Sequence, residues 1–202
     1  MIVSAHQPNF VPSKAFFDKM KQSHIFVLLD DVQYEPRGFT NRNRIIPDHW
    51  LTVPVKKHAV DTLIKDIEIS YDEDWKTKHV TELFRVYGAT NNPLYYFINK
   101  VYEHPWKNLI GFNLAWIREI CSILNIKTNT IFSSTLDLKS KGSQRMLDMC
   151  TKLGADEYLS GPSGKNYLDL ESFEKQGIKV SWMPPQEPNS LSVLDSIMNR
   201  RI

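Results

Sequence analysis

The sequence predicts an α/β fold with a mostly parallel sheet, a hairpin in the N-terminal half and a helical insertion. An apolar run at residues 2–5 leads through a polar turn into a helical pattern. Strand and helix patterns alternate singly through the C-terminal third, and single-helix crossovers call for parallel strands. Residues 74–124 carry successive helical patterns, which predict an insertion or cap over the sheet. Together these observations indicate a Rossmann-like architecture.

The rest of the chain is organised around the first strand and the turn after it. Polar residues interrupt the apolar run at His6, and Pro8 and Pro12 favour extended backbone before them. Ser13 is a suitable N-cap for a helix over residues 14–22. His6 is therefore expected where strand carboxyl ends and helix amino ends converge, which is where open parallel sheets bind ligands. It is a candidate ligand-handling imidazole, or else a histidine that satisfies backbone groups under the turn. The neighbouring candidates for substrate contacts are Gln7 and Asn9.

A second apolar strand over residues 25–29 ends in two adjacent carboxylates, Asp30 and Asp31. Neighbouring residues of an extended chain point to opposite faces, so at most one carboxylate is expected to share a site with His6. That carboxylate could orient the imidazole, hold a metal ion or bind a substrate amine. An aspartate at a strand end also caps turns, and both interpretations stay open. Gln33 follows closely and is a candidate substrate contact.

Residues 37–55 predict a hairpin rich in arginine and asparagine. The alternation at 41–44 places two amides on one strand face and two guanidiniums on the other. Pro47-Asp48-His49 predicts the turn, and residues 50–55 predict the returning strand. Arginine donors suit phosphate or carboxylate, although a solvated hairpin face is the alternative. Asparagine and arginine have little strand propensity, which favours a binding role. The candidate residues are Arg37, Asn41, Arg42, Asn43 and Arg44.

The middle of the chain predicts a short strand over residues 64–69 and three helices. The helical patterns cover residues 75–87, 94–103 and 108–124, and the segment from Gly88 to Pro93 ends the first of them. Aromatic residues recur in these helices at helical spacing, which is more typical of a core than of a platform that stacks bases.

In the C-terminal third the patterns predict three strands and two helices. The strands are expected at 129–133, 157–160 and 178–183, and the helices at 143–153 and 168–176. Gly154 and Gly177 follow the two helices and predict their ends.

Two loops of this third are candidate anion sites. The segment at 139–143 precedes a helix, so free N–H groups, a hydroxyl and two ammonium groups could converge on a phosphate. The segment at 160–167 follows a strand, and its glycines permit close approach to a ligand. Neither has the spacing of a phosphate-binding loop. Both are expected at the same sheet edge as His6. The candidate residues are Lys141, Ser143, Ser160, Gly161, Ser163, Gly164, Lys165 and Tyr167.

Length, net charge and the distribution of apolar residues limit the classes of protein to which this chain can belong. A chain of 202 residues with a formal net charge of +2 predicts one domain over 1–202, and this charge is too weak to indicate a nucleic-acid partner. No signal segment or membrane-length apolar run is seen, which predicts a cytoplasmic protein without a membrane span. The two cysteines, Cys121 and Cys150, lie in apolar helical patterns and are expected to be reduced core thiols.

Four blocks of residues resemble the WbqC family of bacterial proteins. They are Ala5–Phe10, Leu29–Tyr34 with Asn41–Ile45, Leu153–Gly161 with Tyr167-Leu168, and Leu191–Asp195. The blocks occur in the family's order and cover nearly the full chain, and Ser13 departs from the family's usual Trp. The family is found among O-antigen and other surface-polysaccharide gene products, described as glycine or aminoacyl transferases. The His6 turn, with Ser133-Ser134-Thr135 after a later strand, also resembles the nucleotidyltransferase-like superfamily, in which some members form amides through an adenylate.

The resemblance implies an amide-forming enzyme acting on an amino sugar or a nucleotide-linked amino sugar, with an amino acid donor. His6 and Lys141 would stabilise charge on phosphates, and Asp30 or Asp31 would position the amine or accept its proton. Arg42 and Arg44 would hold the sugar nucleotide's diphosphate. ATP or another nucleotide, and Mg²⁺, stay open as cofactors, and no residue is assigned to a metal site. The alternatives are a non-catalytic protein that binds the sugar nucleotide or a partner, and, against the mild net charge, a nucleic-acid binder.

Overall fold

The computed structural model describes residues 1–47, 49–88, 93–185 and 190–199. In chain order the strands are β1 (Ile2–His6), β2 (Ile25–Leu28), β3 (Arg42–Ile46), β4 (His49–Thr52), β5 (Asn129–Phe132), β6 (Glu157–Ser160) and β7 (Lys179–Trp182). The α-helices are α1 (Lys14–Lys21), α2 (Trp75–Tyr87), α3 (Pro93–Glu103), α4 (Leu109–Ile123), α5 (Gly142–Leu153), α6 (Leu170–Lys175) and α7 (Val193–Met198).

The chain divides into two compact units. The first unit contains Met1–Gln7, Ala15–Asp31 and Ile126–Pro188. The second unit contains Pro8–Lys14, Val32–Asn125 and Asn189–Ile202, and so includes the region predicted as a helical insertion. Whether the chain behaves as one domain stays a prediction.

The first unit is built on a parallel sheet. Within the described residues it has five strands in the order β5-β2-β1-β6-β7, and all neighbours are parallel. The predicted mostly parallel α/β fold is therefore confirmed. Strand β1 is central, the next strands of this sheet in chain order (β2 and β5) lie on one side of it, and the last two (β6 and β7) lie on the other. This order places a topological switch point between β1 and β6.

Burial on both faces explains why β1 reads as a continuous apolar run. Val3, Ser4 and Ala5 are all buried. One face of the sheet packs against α5 and α6 through Val3, Ala5, Val27, Leu136, Met146, Leu147, Met149, Cys150, Ala155, Tyr158, Phe173 and Ile178. Helix α5 ends where predicted, because Gly154 adopts a left-handed conformation with φ of +68°.

The second unit combines an antiparallel hairpin with an aromatic core. β3 and β4 pair in antiparallel register, as predicted, and Asp48 of the expected turn lies outside the described residues. Helix α2 begins after Asp74, whose side chain accepts a hydrogen bond from the Thr77 N–H, and residues 89–92 of the expected stop are also outside the description. The aromatics of α2, α3 and α4 form a core, which confirms that prediction for Trp75, Tyr95, Tyr102, Phe112 and Trp116.

Four segments differ from the sequence-based predictions. The returning strand of the hairpin, predicted over residues 50–55 after a turn at 47–49, is β4 at His49–Thr52. Residues 64–69 contain a 3₁₀ turn at Ile64–Asp66 instead of a strand, because Ile64 and Ile67 are both buried at the three-residue spacing of a helical turn. Helix α6 begins later than expected because Asp169 is its N-cap. Helix α7 was not predicted, and Ser192 caps it. Of the helices in the described ranges, none has both the length and the apolar character that crossing a membrane requires.

Candidate active site

His6 lies at the carboxyl end of β1, beside the switch point. It pairs in register with Leu28 of β2, and its ring packs edge-on against Phe16 of α1 with 5.1 Å between centroids. Its side chain is partly buried. The predicted placement of His6 at the end of the first strand is confirmed, and in open α/β sheets this is the position at which ligands bind.

The protonation state of His6 follows from its surroundings. Its Nδ1 lies 3.1 Å from the Gln7 carbonyl oxygen, and a carbonyl can only accept, so Nδ1 carries the proton. Burial, and then the positive charge of Lys19, lowers the pKa of His6 to about 4, although the Gln7 hydrogen bond opposes the shift. The ring is therefore neutral at pH 7 with an unprotonated Nε2. It offers an acceptor, not a positive charge.

Lys19 of α1 supplies the cation that His6 lacks. Its side chain is 5% exposed, and its Nζ donates to the Ala5 carbonyl at 2.6 Å. Burial lowers the pKa of Lys19 to about 8, so the group remains largely charged at pH 7. A buried ammonium beside a neutral imidazole is an arrangement that sequence analysis did not predict.

Asp30 and Asp31 meet at one serine. The single proton of the Ser133 hydroxyl is shared between the two carboxylates, and Asp30 also accepts from the Ser134 N–H at 2.9 Å and the Ser134 hydroxyl at 2.6 Å. The expectation that the two acids face opposite ways fails because β2 ends at Leu28, before either of them. Asp30 thus fastens the 3₁₀ turn Ser133–Leu136 that follows β5.

Asp31 forms a partly buried ion pair with Arg145 of α5. The Arg145 guanidinium lies 2.6 Å from the carboxylate. Burial raises the pKa of Asp31, but hydrogen bonds from Ser133 and Arg145 and the charge of Arg145 outweigh it, and the net shift is downward. Asp31 is therefore ionised at neutral pH and its charge is matched within the first unit.

The loop before α5 has fewer free groups than the sequence suggested. Lys141 is exposed, and the Ser143 hydroxyl accepts from the Asp169 N–H at 2.8 Å. The Ser140 hydroxyl donates to Asp148, whose carboxylate disfavours a bound anion nearby. Lys141 thus remains a candidate only through its exposed ammonium.

The loop after β6 lies on the other side of the switch point. Ser160 ends β6 and is buried, and Pro162–Asn166 form a 3₁₀ turn. Gly164 is buried in this turn, whereas Ser163, Lys165 and Tyr167 are exposed. Lys165 Nζ lies 5.7 Å from the centroid of the Trp182 ring. Gly161 and the three exposed side chains therefore remain open to a ligand.

In the second unit, the asparagine side chains of the hairpin donate hydrogen bonds to backbone carbonyls. The Asn43 Nδ2 donates to the Val11 carbonyl at 2.9 Å and the Phe10 carbonyl at 3.3 Å, and its Oδ1 accepts from the Arg44 N–H. Val11 is buried with φ of +34°, a strained conformation for a β-branched residue. The hydrogen bonds from Asn43 therefore stabilise a strained turn. Asn41 is also buried and donates to the Val53 carbonyl at 3.0 Å. The predicted placement of amides and guanidiniums on opposite strand faces is confirmed within β3, where partly buried Arg42 and Arg44 flank buried Asn43.

The guanidiniums face an exposed tryptophan. The Arg42 and Arg44 Cζ atoms lie 4.4 and 5.5 Å from the centroid of the Trp50 ring, and Phe39 lies 5.9 Å from the same ring. Trp50 and Phe39 are 38% and 49% exposed. We call these four residues the Trp50 platform. Its cations and partly exposed aromatic rings suit a flat or anionic ligand.

The remaining candidates are scattered. Gln33 donates to the Val60 carbonyl at 2.8 Å. The Arg37 side chain is exposed, and the Arg37 carbonyl accepts a hydrogen bond from the Arg42 Nε. Asn9 is partly buried, and its Oδ1 has no partner among the residues that the structure describes. Gln7 is partly buried and belongs to the first unit, as the catalytic candidates do.

Neither cysteine is an activated nucleophile. Cys150 is buried and Cys121 partly buried. Burial raises the pKa of Cys121 to about 11 and that of Cys150 to about 12, so both remain thiols at neutral pH. The prediction of a core thiol is confirmed for Cys150.

Comparison with known proteins decides the family. A model of the WbqC-like protein family matches residues 7–201. The chain belongs to the WbqC-like protein family. This WbqC-like protein is also similar to the uncharacterized protein Rv1507c of Mycobacterium tuberculosis, with 32% identity over 187 residues that cover 89% of this chain and 80% of the relative. No solved structure matches the chain.

Two charged residues of this WbqC-like site were not predicted, although the sequence carries a signal for each. Lys19 lies three residues after Phe16, on the helix face that is buried. Arg145 lies four residues before Met149 on the buried face of α5. A charged residue at a position where the helical pattern calls for an apolar one can be detected from the sequence.

The tight packing of Gly164 gives a prediction that tests the loop after β6. A Cβ at this position would lie 2.1 Å from the Ser160 Oγ and 3.0 Å from Trp182, so Gly164→Ala should lower the free energy of unfolding by about 1–3 kcal/mol. Gly161→Ala is the matched control, because a Cβ there meets nothing within 4 Å. Urea unfolding of both variants checks this. Equal stability of the two would show that the turn does not pack as described.

Proposed function

We propose that this WbqC-like protein is an aminoacyl (glycyl) transferase or amide-forming ligase that joins an amino acid to the amine of an amino sugar, free or nucleotide-linked. The products would serve O-antigen or lipopolysaccharide biosynthesis, as the family resemblance implies, and a cytoplasmic location suits these substrates. One observation carries the proposal: a neutral imidazole at the topological switch point keeps its Nε2 lone pair available for a substrate proton.

The proposed reaction has two steps, formation of an acyl-adenylate and then formation of the amide. A carboxylate oxygen of the amino acid attacks the α-phosphorus of ATP, and the bond to pyrophosphate breaks. The sugar amine then attacks the acyl carbon, and AMP leaves with the electron pair of the C–O bond. A base with a pKa of about 4 cannot deprotonate a free ammonium group, so the amine reacts as the free base. His6 Nε2 accepts the N–H proton after the N–C bond has formed, when the nitrogen is far more acidic.

The Trp50 platform is proposed to bind a nucleotide within the second unit. Arg42 and Arg44 offer guanidinium donors for a diphosphate, and Trp50 is exposed enough to contact a base. Mg²⁺ would enter as the ATP complex. These assignments rest on the exposure and chemistry of the side chains within the second unit.

Glycine-dependent exchange of pyrophosphate into ATP is the experiment that tests the proposal. Purified protein with ATP, Mg²⁺ and radiolabelled pyrophosphate should form labelled ATP only when the correct amino acid is present. The amino acids and sugar acids are screened in turn. Absence of exchange with every one of them would remove the adenylate step.

A non-catalytic protein that binds a sugar nucleotide is the second candidate. It is favoured by one observation: the carboxylates of Asp30 and Asp31 are engaged by Ser133, Ser134 and Arg145. Neither acid is therefore a ready base for an incoming amine. Titration with sugar nucleotides that gives saturable binding, with no conversion in the presence of ATP and amino acids, would decide for this candidate.

A further inference from the structure

The ammonium group of Lys19 lies at the switch point itself. Alternate carbonyls of a strand in a parallel sheet point to opposite neighbours. The Ile2 and His6 carbonyls accept from β2-side N–H groups, and the Met1 carbonyl accepts from the Asp156 and Glu157 N–H groups on the β6 side. Ala5 lies an even number of residues after Met1, so its carbonyl points to the same side as the Met1 carbonyl, toward β6. Lys19 Nζ, which bonds to that carbonyl, therefore lies on the same flank.

The pairing of β1 with β6 leaves room there. β1 pairs with β2 over four residue pairs, from Val3 to His6, but with β6 over only two, of which the last is Val3 with Tyr158. The strands therefore part before Ala5. The Lys19 ammonium occupies the place that a backbone donor of β6 would take in a continuous sheet.

This ammonium group is incompletely satisfied. An ammonium has three N–H donors, and within the described ranges Lys19 has one hydrogen-bond partner and forms no ion pair. Its side chain is 5% exposed, so little solvent is available to replace the missing partners. A buried charge without a counter-charge lowers stability, and a titratable group that burial perturbs in this way is a candidate for binding a ligand of opposite charge.

We infer that Lys19 binds an oxyanion of the substrate, a phosphate or carboxylate oxygen, in the gap between β1 and β6. The inference rests on the proposed function, because it names the group that holds the activated donor there. His6 Nε2 would accept a proton from the amine of the substrate, and Gly161 directly follows β6. Lys19 would thus take the charge-stabilising role that was predicted for His6 and Lys141.

Binding of inorganic phosphate and of acetate to Lys19→Met tests the inference. Methionine keeps the length of the side chain and removes the charge, so the variant should unfold at the same temperature as the wild type or higher. Its affinity for the anion should fall at least about tenfold by isothermal titration. Lys21→Met, an exposed lysine of the same helix, is the matched control and should bind like the wild type.

A second measurement covers the case in which Lys19→Met fails to fold. In wild-type protein the NMR signal of the Lys19 side chain should shift on titration with the anion, with the same Kd as calorimetry gives. Tighter binding of phosphate assigns the nucleotide as the source of the oxyanion, and tighter binding of acetate assigns the amino acid. An unshifted Lys19 signal, or unchanged affinity in Lys19→Met, would overturn the inference. Anion binding without pyrophosphate exchange would remove the adenylate step of the proposed function and leave the inference about Lys19 standing.

Discussion

His6→Ala is expected to lower turnover of the WbqC-like protein by about 10²- to 10⁴-fold. The substitution removes the Nε2 acceptor that lies at the carboxyl end of β1, beside the switch point. Its effect on folding should be small. The imidazole has one backbone hydrogen bond and one edge contact with Phe16, and it is partly exposed, so we expect a loss of about 1 kcal/mol.

Two measurements check this expectation, kcat/KM for amide formation and the urea midpoint of unfolding. His24→Ala is the control, because His24 is exposed and lies at the opposite end of the sheet, before β2. Loss of turnover in both variants, or unfolding of His6→Ala at neutral pH, would show that His6 supports the turn and does not act on substrate.

Acidification should destabilise the protein strongly between pH 6.5 and pH 4. Burial lowers the folded-state pKa of both His6 and His79 to about 4, whereas histidine in an unfolded chain titrates near 6.5. The unfolded state therefore binds more protons in this window, and stability is complete above pH 6.5 and falls as the pH is lowered. Each shift corresponds to a loss of about 3 kcal/mol once the pH has reached 4.

The contribution of His79 can be separated. His79 is buried among aromatic rings, and its two nitrogens contact the Tyr102 hydroxyl and the Thr52 carbonyl, each at 3.0 Å. His79→Gln should keep one or both contacts and roughly halve the pH dependence between 6.5 and 4. Urea unfolding at half-unit steps of pH measures it. A curve that is flat until the carboxylates titrate, as Asp31 does below its ordinary pKa, would contradict the assignment.

The alternation of strands and helices was predictable because its local signals agree with the packing. Gly154 ends α5 where an αL residue is required, and the pattern at residues 157–160 became β6. The position of His6 followed from a rule of parallel sheets, since a strand that leads into a helix ends at the ligand-binding edge.

The contacts of the site were not predictable in the same way. Sequence shows two adjacent acids at Asp30 and Asp31 but not that the strand ends before them, which lets Ser133 contact both. Likewise, Asn43 looked like a substrate contact because it alternates with arginines. Its amide holds the strained backbone at Val11, and a contact over 32 residues of chain leaves no local signal.

The Trp50 platform shows a third kind of difference. The forked donors of Arg42 and Arg44 predict anion ligands, but the ring that both guanidiniums face comes from the returning strand of the hairpin. The cross-strand pair of Arg44 with Trp50 depends on register, and a bulge between Arg44 and Ile46 sets that register. Hairpin alternation alone could not show it.

The location of a bound nucleotide tests the central claim, that chemistry takes place at the switch point of the first unit. A crystal structure with a non-hydrolysable ATP analogue should show a phosphate oxygen within about 3.2 Å of Lys19 Nζ, between the ends of β1 and β6. His6 Nε2 should face the same ligand. A nucleotide bound elsewhere, with Lys19 still bonded only to the Ala5 carbonyl, would contradict the account.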